Sequence, residues 1–184
     1  MISARQVGGN TENSEDNQLL LLSNQMDIFG VINPSLEVQM ATVEDVKAKI
    51  QRLLTNRFGS VRIDKDGDFV VTNQSAVVFV GVRMWGDEDI IVSIRCPLIV
   101  DVEITDALCR WVAIDGQEYM LGSCWINPAS DGKTGWVYFR TNILGNDLDE
   151  SELFQSLDAV AFTGNSLDDE LFQKFGGKMF GSNG

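Results

Sequence analysis

The clearest pattern in the chain runs from 90 to 103. Ile90, Val92, Ile94, Cys96, Leu98, Val100 and Val102 are all apolar, while Ile91, Ser93, Arg95, Pro97, Ile99, Asp101 and Glu103 form a mixed set. A period of two predicts a strand with one buried and one mixed face. Pro97 has no N–H for a ladder, so a bulge or a free edge is expected there. A second β-branched run covers 76–85, and Gly86-Asp87-Glu88-Asp89 turns the chain between the two. Ahead of them, 61–63 and 69–71 flank Asp64-Lys65-Asp66-Gly67-Asp68, which reads as a hairpin loop with solvated acids. Segments 119–126 and 135–143 predict a further antiparallel pair joined by a loop containing Pro128 and Gly132.

Helical spacing frames these strands. Val43, Val46, Ile50, Leu53 and Leu54 form one apolar stripe, with Thr42 as its cap and Glu44 and Asp45 in the first turn. Thr105 and Asp106 are placed to cap a short helix through Val112. Asp147 with Glu150 predicts a capping box for a helix carrying Leu153, Leu157, Val160 and Ala161. Ser166 with Asp169 starts a further short turn with Leu167, Leu171, Phe172 and Phe175, stopped by Gly176-Gly177. The expected fold class is α+β: an antiparallel sheet of about five strands with helices on one face, in the order α-β-β-β-α-β-β-α. Residues 42–180 are expected to form this single domain and 181–184 a tail. Residues 1–41 are expected to be a flexible leader and an apolar arm, the arm being the stretch Leu19–Leu22, Met26, Ile28, Phe29, Val31 and Ile32.

Composition narrows the function. The chain has 184 residues, 14 Lys+Arg against 27 Asp+Glu, a formal charge of −13 and no histidine. The negative excess argues against phosphate backbones and anionic lipid as partners, so neither nucleic acid nor membrane is expected. Without histidine, the commonest general base and the usual zinc and iron sites are missing. No catalytic residue, cofactor or metal site is predicted. The acidic hairpin loop fails the calcium-loop spacing, because its glycine stands fourth and Ser75 falls at position 12. Cys96, Cys109 and Cys124 lie among apolar neighbours and read as reduced, buried thiols. The acids between Arg140 and Lys174 read as helix caps and a solvated face. With no signal peptide and no spanning segment in the pattern, a cytoplasmic location is expected.

Strand order and several local strings resemble the type III secretion chaperone-like superfamily, in its YbjN branch. The strings are Val61-Arg62-Ile63-Asp64-Lys65-Asp66-Gly67-Asp68, Val78-Phe79-Val80-Gly81-Val82, Ile91-Val92-Ser93-Ile94 and Leu167-Asp168-Asp169-Glu170-Leu171, within residues 42–178. The resemblance implies a small acidic cytoplasmic protein without enzyme activity, dimeric in the usual case, that holds a partner segment in extended form. It carries over no ligand residues.

The candidate site comes from the alternation itself. Val78, Val80, Val82, Met84, the even positions of 90–102, Met120, Cys124, Ile126, Val137, Phe139 and Ile143 sort to the face under the helices. The opposite face receives Phe79, Arg83, Trp85, Arg95, Tyr119, Trp125, Trp136, Tyr138 and Arg140, with Ile91, Ser93, Leu121 and Ser123. Trp, Tyr and Arg are the types enriched at binding hot spots. This face is expected to hold a protein or peptide segment. The alternative is a regulatory or structural homodimer whose sheet face is used in self-association, with 19–32 as an arm.

Overall fold

The computed structural model describes residues 41–181; the expectations for 1–40 and 182–184 lie outside the described residues. The elements are α1 (Val43–Phe58), β1 (Arg62–Ile63), β2 (Phe69–Asn73), β3 (Ala76–Trp85), β4 (Asp89–Glu103), α2 (Asp106–Ala113), β5 (Ser123–Pro128), β6 (Thr134–Leu144), α3 (Glu150–Phe175) and β7 (Lys178–Met179). The class is α+β with an antiparallel sheet, as expected, but with seven strands rather than five. The sheet runs β1-β2-β3-β4-β6-β5, and β7 pairs with β4. Four strands precede α2, one more than the expected order, and a strand follows the last helix. β1 lies within the 61–63 arm of the expected hairpin, whereas β7 was not expected; each has two residues. That is too short to carry a period.

Local chemistry sets the helix ends. Thr42 and Asp45 form a reciprocal capping box, the Asp45 N–H donating to Oγ1 of Thr42 at 3.2 Å and the Thr42 N–H to the Asp45 carboxylate at 3.0 Å. Thr105 caps α2 by accepting from the Leu108 N–H. The cap of α3 is Asp149, which accepts from the Glu152 N–H at 2.7 Å, and not Asp147. α3 is one helix of 26 residues, not two. Ser166 turns its hydroxyl back to the Phe162 carbonyl at 2.9 Å and so stays within the helix rather than starting one.

The helices cover one face. Val46, Ile50 and Leu54 of α1, Leu108 and Trp111 of α2, and Leu153, Leu157, Val160 and Leu171 of α3 share one cluster with Val78, Val80, Ile94, Val137 and Phe139 of the sheet. α3 lies tight against β4: a methyl group at Gly164 would stand 2.5 Å from Sγ of Cys96. Asn165 ties the helix to the β2–β3 turn, accepting from the Ala76 N–H at 2.8 Å and donating to the Asn73 carbonyl at 3.2 Å. Arg57 binds Asp158 with two hydrogen bonds of 2.8 and 2.9 Å, linking α1 to α3.

β4 departs from simple alternation. Its pairing with β6 slips between Pro97 and Ile99 and again between Ile99 and Val102, where Asp101 adopts φ 52°. The first bulge turns Ile99 into the core, fully buried, and the second restores the original parity at Val102. The bulge at Pro97 was legible; the inward turn of Ile99 corrects the even-position set. Met84 and Met120, both sorted to the buried face, are 50% and 98% exposed. Met84 lies near the end of β3, beyond helix cover, and Met120 lies outside any strand. Among the described residues no helix is long and apolar enough to cross a membrane.

Candidate functional site: the helix-free face of the sheet

Antiparallel Cα partners share a face, so the registers place the predicted residues directly. One transverse row, Arg62, Val70, Phe79, Arg95, Arg140 and Ser123, crosses six strands. A second, Pro97, Tyr138 and Trp125, lies beside it, and Trp136 with Asn127 lies one step further. On the other side come Gly81, Ser93 and Asn142, then Arg83, Ile91 and Leu144, then Trp85. Phe79, Arg83, Trp85, Arg95, Trp125, Trp136, Tyr138 and Arg140 thus share the helix-free face. Phe79 to Trp85 spans about 20 Å along β3. Trp85 therefore sits at the far end, away from the cluster.

Tyr119 does not join them. The strand expected at 119–126 begins at Ser123, because the chain turns at Gly122 with φ 98°. A Cβ at Gly122 would lie 2.6 Å from the Arg140 carbonyl oxygen. Tyr119 instead packs edge-on against Phe139 at 5.1 Å, beside the core. Burial raises its phenol pKa.

The residue the sequence hid is Asp68. It was expected among solvated turn acids, yet it is 2% exposed. It accepts from Arg83 at 3.2 Å and from Arg95, so one carboxylate links two guanidinium groups. The space above Gly81 makes this possible: a Cβ there would stand 2.6 Å from Oδ1 of Asp68. A glycine inside the run Val77–Val82 was the available signal, since glycine within a strand marks a close approach. Asp64 turns the hairpin by accepting from the N–H groups of Asp66 and Asp68 at 2.9 and 3.0 Å. Bonding to the Asp68 N–H leads the causes that hold its carboxyl below the usual range, with further backbone bonds and the charge of Arg95 adding to it. These bonds engage the carboxylates of Asp64 and Asp68.

Arg140 is different. Its guanidinium stacks over Trp125 at 3.5 Å, while Trp125 donates from Nε1 to the Ser123 hydroxyl. Its Nε is buried without an acceptor, and among the described residues it has no carboxylate partner. It also stands directly opposite Arg95, a like-charge pairing that destabilises a sheet. Burial, then the charge of Arg95, makes it easier to deprotonate than an ordinary arginine.

On the Tyr138 and Trp136 side of the Phe79–Arg95 row lies a pocket of about 400 Å³. Its lining includes Phe79, Arg95, Tyr138 and Trp136, the hairpin residues Asp64 to Asp66, and Asn127 to Ala129 of the β5–β6 loop. Trp136 and Tyr138 stack at 5.9 Å. The last wall is Phe180, just past β7, whose ring lies 5.8 Å from Phe79 and 5.6 Å from Trp136. Sequence reasoning assigned Phe180 no role. Of the thiols, Cys96 and Cys124 are buried and their pKa values are pushed up to about 12 by desolvation. Cys109, also expected inside, is exposed on α2.

The sheet thus commits one face to its helices and keeps aromatic rings, guanidinium groups and a pocket on the other. The family described as T3SS (YopN, CesT) and YbjN peptide-binding chaperone 1, TY-Chap1, matches residues 44–183, and the chain belongs to it. Membership places it in a non-catalytic class. Among solved structures it is similar to the Yersinia pestis type III secretion chaperone SycH in complex with a stable fragment of YscM2. The identity there is 13% and the TM-score 0.44, over 66% of this chain and 98% of that one. It is also similar to the ExsC–ExsE complex, at 15% identity and TM-score 0.43, over 67% and 93%. No curated protein matches it.

Proposed function

We propose that the protein is a chaperone-like module that holds an extended, partly apolar segment of another protein on the helix-free face. The observation that carries this is the pocket of about 400 Å³ between Phe79, Arg95, Tyr138 and Trp136, with Arg140, whose Nε has no acceptor, opposite Arg95 on the next strand. An apolar side chain seated in the pocket contributes about 1.5–3 kcal/mol before ordering costs. An acidic residue of the segment would supply the acceptor that Arg140 lacks and relieve its repulsion with Arg95. A charge of −13 keeps a protein with such a face dispersed. The expected cytoplasmic setting and the exclusion of nucleic acid and membrane belong to the same reading.

Selection from a random 12-residue peptide library displayed on phage tests it. Peptides with an aromatic or large aliphatic residue near an acid should be enriched, and Tyr138→Ala and Arg140→Ala should each weaken their binding at least tenfold. No enrichment, or binding indifferent to both substitutions, contradicts the proposal.

A homodimer is the second reading. It is favoured by Met84, Trp85 and Leu144, each at least half exposed at one end of the sheet. Sedimentation of the full chain and of Trp85→Asp distinguishes the two: a dimer through that end should dissociate in the variant.

A further inference from the structure

One wall of the pocket and one strand edge are covered by the chain's own residues 178–180. β7 pairs with the free edge of β4 at two positions, Ile99 with Met179 and Val100 with Lys178. That edge is available because β3 leaves β4 after Phe79 and Arg95. Met179 faces the core with Ile99, so the next residue, Phe180, turns to the helix-free face. There its ring meets Phe79 and Trp136.

The attachment is short. β7 has two residues, and its ion pair, Lys178 to Asp101 at 3.0 Å, joins side chains that are 74% and 57% exposed. Exposed pairs of this kind contribute less than about 1 kcal/mol. Gly176, Gly177 and Gly181 flank the strand in left-handed conformations, with φ 77°, 85° and 82°. Most other residue types disfavour such φ values, and glycine adopts them freely, so the chain turns at both ends of the segment. A methyl at Gly177 would also lie 2.8 Å from the Val100 carbonyl. The segment is thus closely fitted through a strand of two residues.

We propose that residues 177–181 are a built-in stand-in for the ligand. They occupy the β4 edge and form one wall of the aromatic pocket, and an incoming segment with the same pattern displaces them. The partner that fits is an extended strand that pairs with Ile99 and Val100 and places an aromatic residue where Phe180 sits. This rests on the reading of the helix-free face as the binding face and adds the register, the anchor and a competing self-contact. Intramolecular competition lowers apparent affinity by the fraction of time the β4 edge and the Phe180 position are vacant.

The test uses the full chain, its Phe180→Ala variant and, as probe, a fluorescently labelled peptide of sequence Gly-Lys-Met-Phe-Gly-Ser-Asn-Gly, residues 177–184. Anisotropy should show the peptide binding Phe180→Ala at least tenfold tighter than the unmodified chain, and binding should be lost when the peptide's own Phe is replaced by Ala. Hydrogen exchange on the unmodified chain gives an independent readout. The amides joining β7 to β4 should exchange at least a hundredfold faster than those joining β4 to β6 around Ile94. Equal binding to both chains, no binding to Phe180→Ala, or equally slow exchange at both places overturns the proposal. If library peptides bind both chains equally well and the tail peptide binds neither, the tail inference alone falls. If library peptides also fail to bind, the reading of the face falls with it.

Discussion

Gly81 and Asp68 should be strongly coupled in stability. Gly81→Ala adds one methyl group, which would lie 2.6 Å from Oδ1 of Asp68 and 3.0 Å from Nη1 of Arg83. The guanidinium end is flexible and 56% exposed, so it moves aside. The carboxylate is 3% exposed and held by two arginines, so it moves only by breaking those bonds. Breaking a buried pair costs about 3–5 kcal/mol. The lower end applies, because both arginines retain contact with water and the exposed one reaches it freely. Gly81→Ala alone should therefore destabilise by about 2–3 kcal/mol, and Asp68→Ala by a similar amount. With the carboxylate gone, the methyl group meets no fixed obstacle, and alanine restricts the unfolded chain more than glycine. Adding Gly81→Ala to Asp68→Ala should then be neutral or stabilising by about 0.5 kcal/mol. Equilibrium urea unfolding of the four proteins measures the cycle, with a coupling of about 2–3 kcal/mol expected. Costs that add to within about 0.5 kcal/mol would refute the claim that Gly81 exists to admit the buried carboxylate.

Further outcomes follow from individual groups. Arg140→Met should leave stability unchanged or raise it, since it removes a buried donor without an acceptor and a like-charge neighbour of Arg95, while library-peptide binding falls at least tenfold; thermal unfolding and anisotropy check the two halves. Of the three thiols, Cys109 alone should react quickly with Ellman's reagent at pH 8 in the native protein, with Cys96 and Cys124 reacting after denaturation. The folded pKa of Asp64 is lowered, so its contribution to stability is present above its ordinary value of 3.8 and is lost as pH falls through the lower folded value. Asp64→Asn should accordingly flatten the acid limb of the stability profile below about pH 4, measured by chemical unfolding between pH 2 and 6.

How much was legible in the sequence depended on the range of the forces involved. The face of β3 was readable because Val78, Val80 and Val82 alternate strictly and its partners keep register from Phe79 to Trp85. Helix caps at Thr42 and Thr105 were readable because a cap is a contact within three residues. Tyr119 was misplaced because the turn at Gly122 follows from backbone packing against Arg140, not from any apolar period. Asp68 was hidden because an acid beside Gly67 looks like a solvated turn; its burial depends on partners 15 and 27 residues away. β7 and Phe180 were invisible for a related reason. A two-residue strand after Gly176-Gly177 has no local signature, and its pairing with β4 at Ile99 exists only where β3 has turned away. The resemblance drawn from soft strand strings nonetheless named the family that residues 44–183 match.

The central claim is that a bound segment lies on the helix-free face. The chain has four tryptophans, and they divide usefully between locations. Trp125 stacks against Arg140, Trp136 lines the pocket, Trp85 stands at the far end of the same face, and Trp111 is buried on the core side of α2 beside Phe175. Fluorine NMR of the 5-fluorotryptophan protein, titrated with a library-selected peptide, separates them. The account predicts saturable shifts of the Trp125 and Trp136 resonances with Trp111 unmoved. A shift confined to Trp111, or binding that moves neither Trp125 nor Trp136, would contradict it.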